Sequence, residues 1–288
     1  MVAALCILAA VLLLLIFLIF PGRGCREMRE VFFHRNVAHR GLHTGNSRIP
    51  ENSLPAFKAA AEAGFAIEFD LQLSKDGQVV VFHDDTLNRV CGIDNRVDFY
   101  TYEELCGFGL CGTDEKIPLF SELLELVDGR VPLLIEFKNG PKNKELCGKA
   151  YALIRKYRAG GFSGALREKT EKRNYDLCIE SFSPIIVRWF RKNAPEIMRG
   201  QLACPIKDYR GSVGLPLAIL LSNVMLNCLG RPHFVAYDVH KRSIPVKLCD
   251  LLGAMRFVWT VRPDNDIRTL ERKNDSIIFE LYRPENKW

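Results

Sequence analysis

Two carboxylates stand two residues apart in the run Glu68-Phe69-Asp70, and their spacing suits metal binding. In a β-strand, residues i and i+2 point to the same face, so both side chains would project together from one strand. Carboxylates held that close raise each other's pKa unless a cation lies between them. A hard divalent ion that prefers oxygen ligands, Mg²⁺ or Ca²⁺, meets that need. Alternating acids on an exposed strand are the other interpretation of this run.

A second pair of charged residues and two histidines extend the candidate set. Glu136-Phe137-Lys138 repeats the i, i+2 spacing at the end of the apolar run Pro132–Phe137, as either a functional pair or a buried ion pair. His39 and His83 each end a predicted strand, and histidine is the side chain that exchanges protons near neutral pH. Structural histidines with hydrogen-bond partners would occupy the same positions.

The charges of these groups indicate the ligand that they would bind. The strand-end groups are His39, Arg40, Glu68, Asp70, His83, Glu136 and Lys138. Three carboxylates and one divalent cation sum to −1, which leaves Arg40, Lys138 and any protonated histidine to receive an anion. A phosphodiester suits such a site, because the metal and the cationic side chains would share its oxygens.

These side chains would be positioned by a parallel sheet. Short apolar runs alternate with helical segments after residue 35, which predicts an α/β fold, and eight strands are the number that closes a (β/α)₈ barrel of about 250 residues. The predicted strands are Asn36–His39, Ala66–Leu71, Gln78–His83, Pro132–Phe137, Asp176–Ser181, Ile197–Ala203, His233–Asp238 and Phe257–Val261. One connection is irregular, because Lys75-Asp76-Gly77 predicts a tight turn between the second and third strands instead of a helix.

The first twenty residues predict a membrane helix. Met1 to Phe20 contains no charged, amide or hydroxyl side chain, which is enough apolar length to cross a bilayer, and Pro21 and Gly22 end it. The basic stretch and small-residue site of a cleaved signal peptide are missing, so we expect an uncleaved anchor. The predicted domains are therefore an anchor at 1–22, a juxtamembrane linker at 23–35 and the barrel at 36–288.

The basic residues near this helix predict its orientation. Arg23, Arg26, Arg29 and Arg35 all follow the helix, so the positive-inside rule places the barrel in the cytoplasm of a single-pass membrane protein. Reduced cysteines would agree with that compartment.

Composition excludes several classes of protein. The chain has 288 residues, 48% apolar and 26% charged, with a formal charge of +6, which excludes intrinsic disorder and a multi-span membrane protein. The ten cysteines include no Cys-x-x-Cys pair, and we expect them to be mostly reduced. Cys106 and Cys111 have a spacing that a disulfide would permit, but free loop thiols are the favoured interpretation.

Two further segments have an unusual composition. The segment from Lys142 to Arg173 contains ten Lys or Arg and three Glu. It is interpreted either as a solvated helix with a surface loop or as a patch that binds anionic lipid headgroups. Aromatic residues do not interleave in a recognition pattern, so no nucleic-acid partner is expected. Leu215 to Leu229 carries no charge and is either an apolar barrel helix or a hydrophobic flap in the bilayer interface.

The chemistry-bearing segments resemble the signature of a known family. They are Ala38-His39-Arg40-Gly41, Pro50-Glu51-Asn52-Ser53, Glu68 to Gly77, Val80-Val81-Phe82-His83-Asp84, Leu134-Ile135-Glu136-Phe137-Lys138 and Phe257-Val258-Trp259-Thr260-Val261. In this order, over residues 36 to 280, they resemble the glycerophosphodiester phosphodiesterases. The resemblance implies a (β/α)₈ barrel that hydrolyses glycerophosphodiesters to sn-glycerol 3-phosphate and an alcohol.

The resemblance also implies a role for each residue. By this carry-over the acid–base pair is His39 and His83, the metal ligands are Glu68, Asp70 and Glu136, the phosphate ligands are Arg40 and Lys138, and the side chain at the glycerol end is Trp259. Glu51 would brace its loop or support the inner residues. Either water or the glycerol hydroxyl of the substrate would be the attacking group.

Two other functions compete with this one. The first is a phospholipase D-type enzyme that cleaves lysophospholipids, which the anchor and the apolar segment after residue 214 favour. The second is a membrane-tethered protein that binds phosphodiesters without turnover, which would not need two histidines. The headgroup alcohol, the choice between Mg²⁺ and Ca²⁺ and the oligomeric state are left open.

Overall fold

Eight parallel strands are hydrogen-bonded in a closed ring at the centre of the molecule. The computed structural model describes residues 1–45, 48–160 and 176–287. The strands are β1 (Arg35–Ala38), β2 (Ala66–Leu73), β3 (Val79–Val81), β4 (Leu133–Phe137), β5 (Leu177–Ser181), β6 (Met198–Ala203), β7 (Phe234–Asp238), β8 (Met255–Val261) and β9 (Ser276–Phe279). All except β3 belong to the ring, which closes where β1 pairs with both β2 and β9. The predicted (β/α)₈ barrel is confirmed.

Helices alternate with these strands. They are α1 (Val2–Ile19), α2 (Arg26–Glu30), α3 (Leu54–Glu62), α4 (Asn88–Cys91), α5 (Tyr102–Leu105), α6 (Phe120–Val127), α7 (Asn143–Arg158), α8 (Pro184–Asn193), α9 (Leu215–Ser222), α10 (Asn227–Gly230), α11 (Ile244–Leu251) and α12 (Ile267–Lys273). Local sequence sets several of their ends. At α3, for example, the Ser53 hydroxyl accepts a hydrogen bond from Ala56 N–H, and Pro55 occupies the first turn.

Two strand predictions are corrected by the fold. The third predicted strand, Gln78–His83, contains β3, which is antiparallel to β2 and lies outside the ring. The tight turn explains this, because Gly77 N–H donates to Ser74 and its positive φ of 76° returns the chain directly along β2. The eighth barrel strand is β9, which was not predicted because its apolar run, Ile277 to Phe279, is only three residues long.

The inside of the barrel is an apolar core below the ends of the strands. It contains Val37, Ala66, Leu134, Cys178, Met198, Phe234, Phe257 and Ile278. Gly200 makes room for one of them, because a Cβ there would lie 2.0 Å from the Phe234 ring. Met28 and Phe32 pack against the same cluster, so the segment predicted as a linker contains a helix and contributes to the core.

The C-terminal end of α1 packs on the outside of the barrel. Ile19 is buried in a cluster with Val235 and Cys249, and Gly22 N–H donates to Pro232 O at 2.8 Å. By length and composition α1 is long and apolar enough to span a membrane, a test that the helix of a signal sequence also passes. Membrane insertion and orientation therefore stay predictions.

Three other predictions concern local features. The apolar segment Leu215 to Leu229 forms two short helices, α9 and α10, separated by a turn in which Val224 has a positive φ of 51°. Of the basic segment, α7 covers the first half, and residues 161–175 lie outside the described residues. Cys106 and Cys111 are free thiols, as expected.

Candidate active site

Carboxylates from three adjacent strands lie at one level near the C-terminal ends of the barrel strands. Asp70 on β2 is in register with Glu136 on β4, which in turn is in register with Glu180 on β5. The inward direction of these side chains follows from the alternation along each strand. This end of the barrel is where enzymes of this architecture bind their substrates.

Glu68, Asp70 and Glu136 are brought together as predicted. Each offers an oxygen within 4.8 Å of the others, and all three side chains are buried. Burial and the charges of Asp70 and Glu136 raise the pKa of Glu68 well above its ordinary value. Asp70 Oδ1 is buried and accepts no hydrogen bond. A divalent cation fits this set, because it would neutralise the carboxylates and bind Asp70 Oδ1, which lies 3.5 Å from Lys138 Nζ without a hydrogen bond.

Arg40 and Lys138 border the acidic cluster. The Arg40 backbone N–H donates to Glu68 Oε2 at 2.9 Å, and its guanidinium Nε lies 3.6 Å from Asp70 Oδ2. Lys138 Nζ donates to Glu136 Oε1 at 2.8 Å. Burial lowers the pKa of Lys138, but Glu136 and Asp70 outweigh it, so the net pKa is raised and the ammonium stays charged. These two cations are placed to receive an anionic ligand.

His39 is held by a carboxylate that the sequence analysis did not identify. Its Nδ1 donates to Glu280 Oε1 at 3.2 Å, because a carboxylate can only accept, and its Nε2 lies 3.9 Å from Glu68. Burial lowers the pKa of His39 to about 4. Glu280 also accepts a hydrogen bond from Arg262 at 2.8 Å and lies 3.3 Å from His43 Nε2. The ring is therefore neutral at pH 7, with Nε2 directed towards the cluster.

His83 is also held by a carboxylate, that of Asp84. Its Nδ1 lies 2.5 Å from Asp84 Oδ1, and Arg89 donates to both Asp84 and Glu51. Glu51 also accepts from Arg40 at 2.6 Å, so one carboxylate links the two arginines. Burial raises the pKa of Asp84, but its bonds to His83 and Arg89 outweigh that and keep the carboxylate ionised. These contacts fit both roles predicted for Glu51, because it joins Arg89 of the loop to Arg40 beside the acidic cluster.

The cleft above these groups has a polar half and an apolar half. It encloses about 290 Å³. Its lining residues include His39, Arg40, Glu68, His83, Glu136, Glu180, Phe182, Leu202, Trp259 and Arg262. Trp259 donates from its indole N–H to Ala236 O and packs edge to face with Phe182, with ring centroids 5.6 Å apart. The apolar half suits the hydrocarbon part of a ligand whose charged part contacts the acids and cations.

Glu180 and Glu280 are the carboxylates that sequence reasoning missed. Glu180 is buried, its Oε2 accepts no hydrogen bond, and burial together with Glu136 and Asp70 raises its pKa well above the ordinary value. Its one signal in the sequence was that it is an acid within an apolar predicted strand, because it lacks the charged residue at i+2 that identified Glu136. Glu280 follows the strand that was not predicted, so its position could not be recognised.

Comparison with known proteins identifies the family. Residues 39–280 match the family model described as the glycerophosphoryl diester phosphodiesterase family. The chain belongs to that family. The family hydrolyses phosphoric diesters, so the chain is an enzyme of that class. A glycerophosphodiester phosphodiesterase from Caldanaerobacter subterraneus is 31% identical over 262 residues, covering 85% of this chain and 93% of that protein.

Other relatives and solved structures agree with the family. Lysophospholipase D GDPD1 from Rattus norvegicus is 31% identical over 180 residues, which is 56% of this chain and 55% of the relative. The fold resembles an Oleispira antarctica phosphodiesterase in complex with sn-glycerol-3-phosphate, with a TM-score of 0.64, 21% identity and coverage of 88% and 95%. A glycerophosphodiester phosphodiesterase from Thermotoga maritima gives a TM-score of 0.60 at 25% identity, with coverage of 85% and 94%.

Proposed function

We propose that this chain hydrolyses glycerophosphodiesters to sn-glycerol 3-phosphate and an alcohol, using two histidines and one divalent cation. Three observations together carry the proposal. Three buried carboxylates lie within 4.8 Å of one another, two cations form ion pairs with them, and two carboxylate-held imidazoles line the adjoining cleft. The product-bound Oleispira antarctica structure supports the substrate class, because it shares this fold.

The two histidines are suited to proton transfer at their Nε2 atoms. Each Nδ1 faces a carboxylate, Glu280 for His39 and Asp84 for His83, which fixes the tautomer and leaves Nε2 directed away from that partner. One histidine, as a neutral imidazole, would take the proton of the attacking oxygen at its Nε2. The other would have to enter the step as an imidazolium, with a proton on Nε2 as well as on Nδ1, and would give the Nε2 proton to the leaving alkoxide. Each contributes about 10²–10⁴-fold to the rate.

The phosphate would be held between the cations and the acidic cluster. Glu68, Asp70 and Glu136 would hold Mg²⁺ or Ca²⁺, and when bound the ion would stabilise negative charge on the phosphoryl oxygens. Arg40 and Lys138 would bind those oxygens directly, since both side chains are fixed beside the cluster by ion pairs. Trp259 and Phe182 would contact the glycerol carbons in the apolar half of the cleft.

We also propose that α1 inserts into a membrane and leaves the barrel in the cytoplasm. The apolar composition of α1 and the arginines that follow it support this placement. Small glycerophosphodiesters would then reach the cleft from solution. A lysophospholipid is the second candidate substrate, which the similarity to Lysophospholipase D GDPD1 favours.

The test uses the full-length chain in detergent, stripped of metal by a chelator. Glycerophosphocholine or lysophosphatidylcholine is added with Mg²⁺ or Ca²⁺, and glycerol 3-phosphate, lysophosphatidic acid and choline are followed. We expect metal-dependent release of glycerol 3-phosphate from glycerophosphocholine, reduced about 10²–10⁴-fold in His39→Ala. His240→Ala is the matched control, because His240 does not line the cleft.

Three outcomes would contradict parts of this proposal. If lysophosphatidylcholine is cleaved and glycerophosphocholine is not, the proposed substrate class is wrong and the enzyme acts on lysophospholipids. Equal activity with and without metal would remove the cation from the mechanism. Full activity of His39→Ala would remove His39 from catalysis.

A further inference from the structure

The end of α1 is fixed to the barrel by specific contacts. The Arg231 guanidinium donates to Phe17 O at 2.8 Å and to Phe20 O at 2.9 Å, so it satisfies carbonyls that the helix end leaves free. The same guanidinium lies over the Phe17 ring, 4.8 Å from its centroid. Gly22 is required beside it, because a Cβ would lie 2.3 Å from Arg231 O. The barrel therefore has a defined position relative to α1.

The residues that pack beside the end of α1 come from α11 and from the turn after α9. Leu15 and Leu18 contact the buried cluster around Ile19, as do Met225 and Leu248. Residues 2–14 of α1 are almost entirely exposed, so this part of the helix extends away from its neighbours. Any bilayer around residues 2–14 would therefore lie on the side of the barrel that carries α11 and the turn after α9.

Exposed apolar side chains are concentrated on these two helices. After α1, nine large hydrophobic residues are exposed among the residues that the structure describes, and five of them belong to α9 or α11. The five are Leu215, Leu217, Ile219, Ile244 and Leu251. Scattered single leucines on a surface are ordinary, but a group of this kind marks a surface that contacts something apolar.

Basic residues accompany the exposed apolar ones. On α11, Ile244, Lys247 and Leu251 follow the i, i+3, i+7 spacing of one helix face, and all three are exposed. Before α9, Lys207 and Arg210 are exposed as well. Apolar side chains with lysine or arginine beside them are typical of helices that lie in the headgroup region of a membrane.

The inner face of α9 reaches the cleft. Ala218 and Leu221 are buried in a cluster with Tyr209, against which Phe182 and Trp259 pack. Phe182 and Trp259 are the aromatic residues of the cleft. One short helix therefore joins the exposed apolar group to the wall of the active site.

We propose that the outer faces of α9 and α11 rest on the lipid bilayer into which α1 inserts, so that the cleft opens beside the membrane surface. A lipid surface is the occupant because α11 and the turn after α9 pack against the end of the apolar helix α1, and because the lysine and arginine side chains beside the exposed apolar group suit anionic headgroups. The proposal rests on the proposed insertion of α1. It places amphiphilic phosphodiesters, with tails in the bilayer, within reach of the cleft.

Photolabelling of the full-length chain tests this surface. The protein is inserted into phosphatidylcholine and phosphatidylglycerol vesicles that contain a phospholipid with a diazirine in its acyl chain near the headgroup. After illumination, labelled peptides are mapped by mass spectrometry. We expect label in residues 2–14, in 215–219 and in 244–251. The segment around Phe99 is the matched control, because Phe99 is 57% exposed and Leu215 is 65% exposed.

A variant and the labelling pattern separate the outcomes. The triple change Leu215→Ser, Leu217→Ser and Ile219→Ser should lower the amount of label in residues 215–219 several-fold and leave the amount in α1 unchanged. Phe99→Ser should leave the label in both segments unchanged. Label confined to α1 would overturn the proposed surface but keep the membrane helix. Absence of label from α1 as well would overturn the membrane insertion itself. None of these readouts depends on catalysis.

Discussion

Replacement of Glu280 by glutamine isolates the charge that holds His39. Gln keeps the shape of the side chain and one acceptor oxygen, but it removes the carboxylate that accepts from the His39 ring and from Arg262. A hydrogen bond to a charged group contributes about 1.5–3 kcal/mol, and a neutral one about 0.5–1.5 kcal/mol. The difference is about 1–2 kcal/mol. If Glu280 stabilises the positive charge that His39 gains in the transition state, kcat should fall about 5- to 30-fold.

The assay measures glycerol 3-phosphate release from glycerophosphocholine by the detergent-solubilised chain at saturating metal. We expect the loss in kcat, with KM and the affinity for the divalent cation within about twofold of the parent, because Glu280 contacts neither cation-binding oxygens nor the proposed phosphate ligands. Glu280→Ala should lose more, since no acceptor remains for the ring. Glu285→Gln is the matched control, an exposed glutamate in the same C-terminal segment.

Two results would refute this reasoning. A loss of kcat below about twofold in Glu280→Ala would show that the orientation and charge of His39 do not limit the rate. A loss that appears in metal affinity would show that Glu280 acts on the acidic cluster instead. Thermal unfolding of each variant shows whether the fold is intact, so a general loss of structure is recognised separately.

Two further predictions concern stability. Divalent cation at 100 times its Kd should raise the unfolding free energy of the metal-free chain by about 2.7 kcal/mol, and a thermal melt should show that Glu68→Gln abolishes the rise. Burial lowers the pKa of the His233 imidazole to about 3, whereas the pKa of a histidine in the unfolded chain is about 6.5. Between these two pH values the unfolded chain binds more protons than the folded chain. The free energy of unfolding therefore falls as the pH falls below about 6.5. At pH 5 the loss is about 2 kcal/mol. The variant His233→Asn keeps an acceptor for Arg199 N–H, and its unfolding free energy, measured by chemical denaturation, should depend less on pH between about 5 and 6.5. The same pH dependence in the variant and the parent would contradict this prediction.

The main site residues could be predicted because each follows a strand with a clear apolar pattern. Glu68, Asp70 and Glu136 lie in or at the end of such runs, and parallel strands bring these ends together without further information. Eight barrel strands were predicted and eight are present, but one of the predicted strands lies outside the ring and β9 takes its place. Gln78–His83 was assigned to the ring on its β-rich composition, whereas the turn at Gly77 makes β3 antiparallel.

The residues that support the site could not be predicted from local patterns. Arg89 and Glu51 are 38 residues apart, and only the folded chain places their side chains 2.7 Å from each other. Glu280 follows Ser276–Phe279, a run too short to be recognised beside charged neighbours. Glu180 has no second charged residue at i+2, so the spacing that revealed the other acids was absent. Supporting contacts depend on tertiary structure, which spacing along one strand does not encode.

Met28 and Phe32 alter the meaning of the connection between α1 and the barrel. A flexible tether lets a domain tumble, and extra residues change its reach only slowly. Here the connecting segment places two side chains in the apolar core of the barrel, so its length is fixed by that packing. Added residues would either withdraw those side chains from the barrel or pull Gly22 from Pro232. The packing of Met28 and Phe32 therefore does two things: it completes the barrel core and it fixes the orientation of the cleft relative to α1. A change in this segment that alters the orientation would also alter the core.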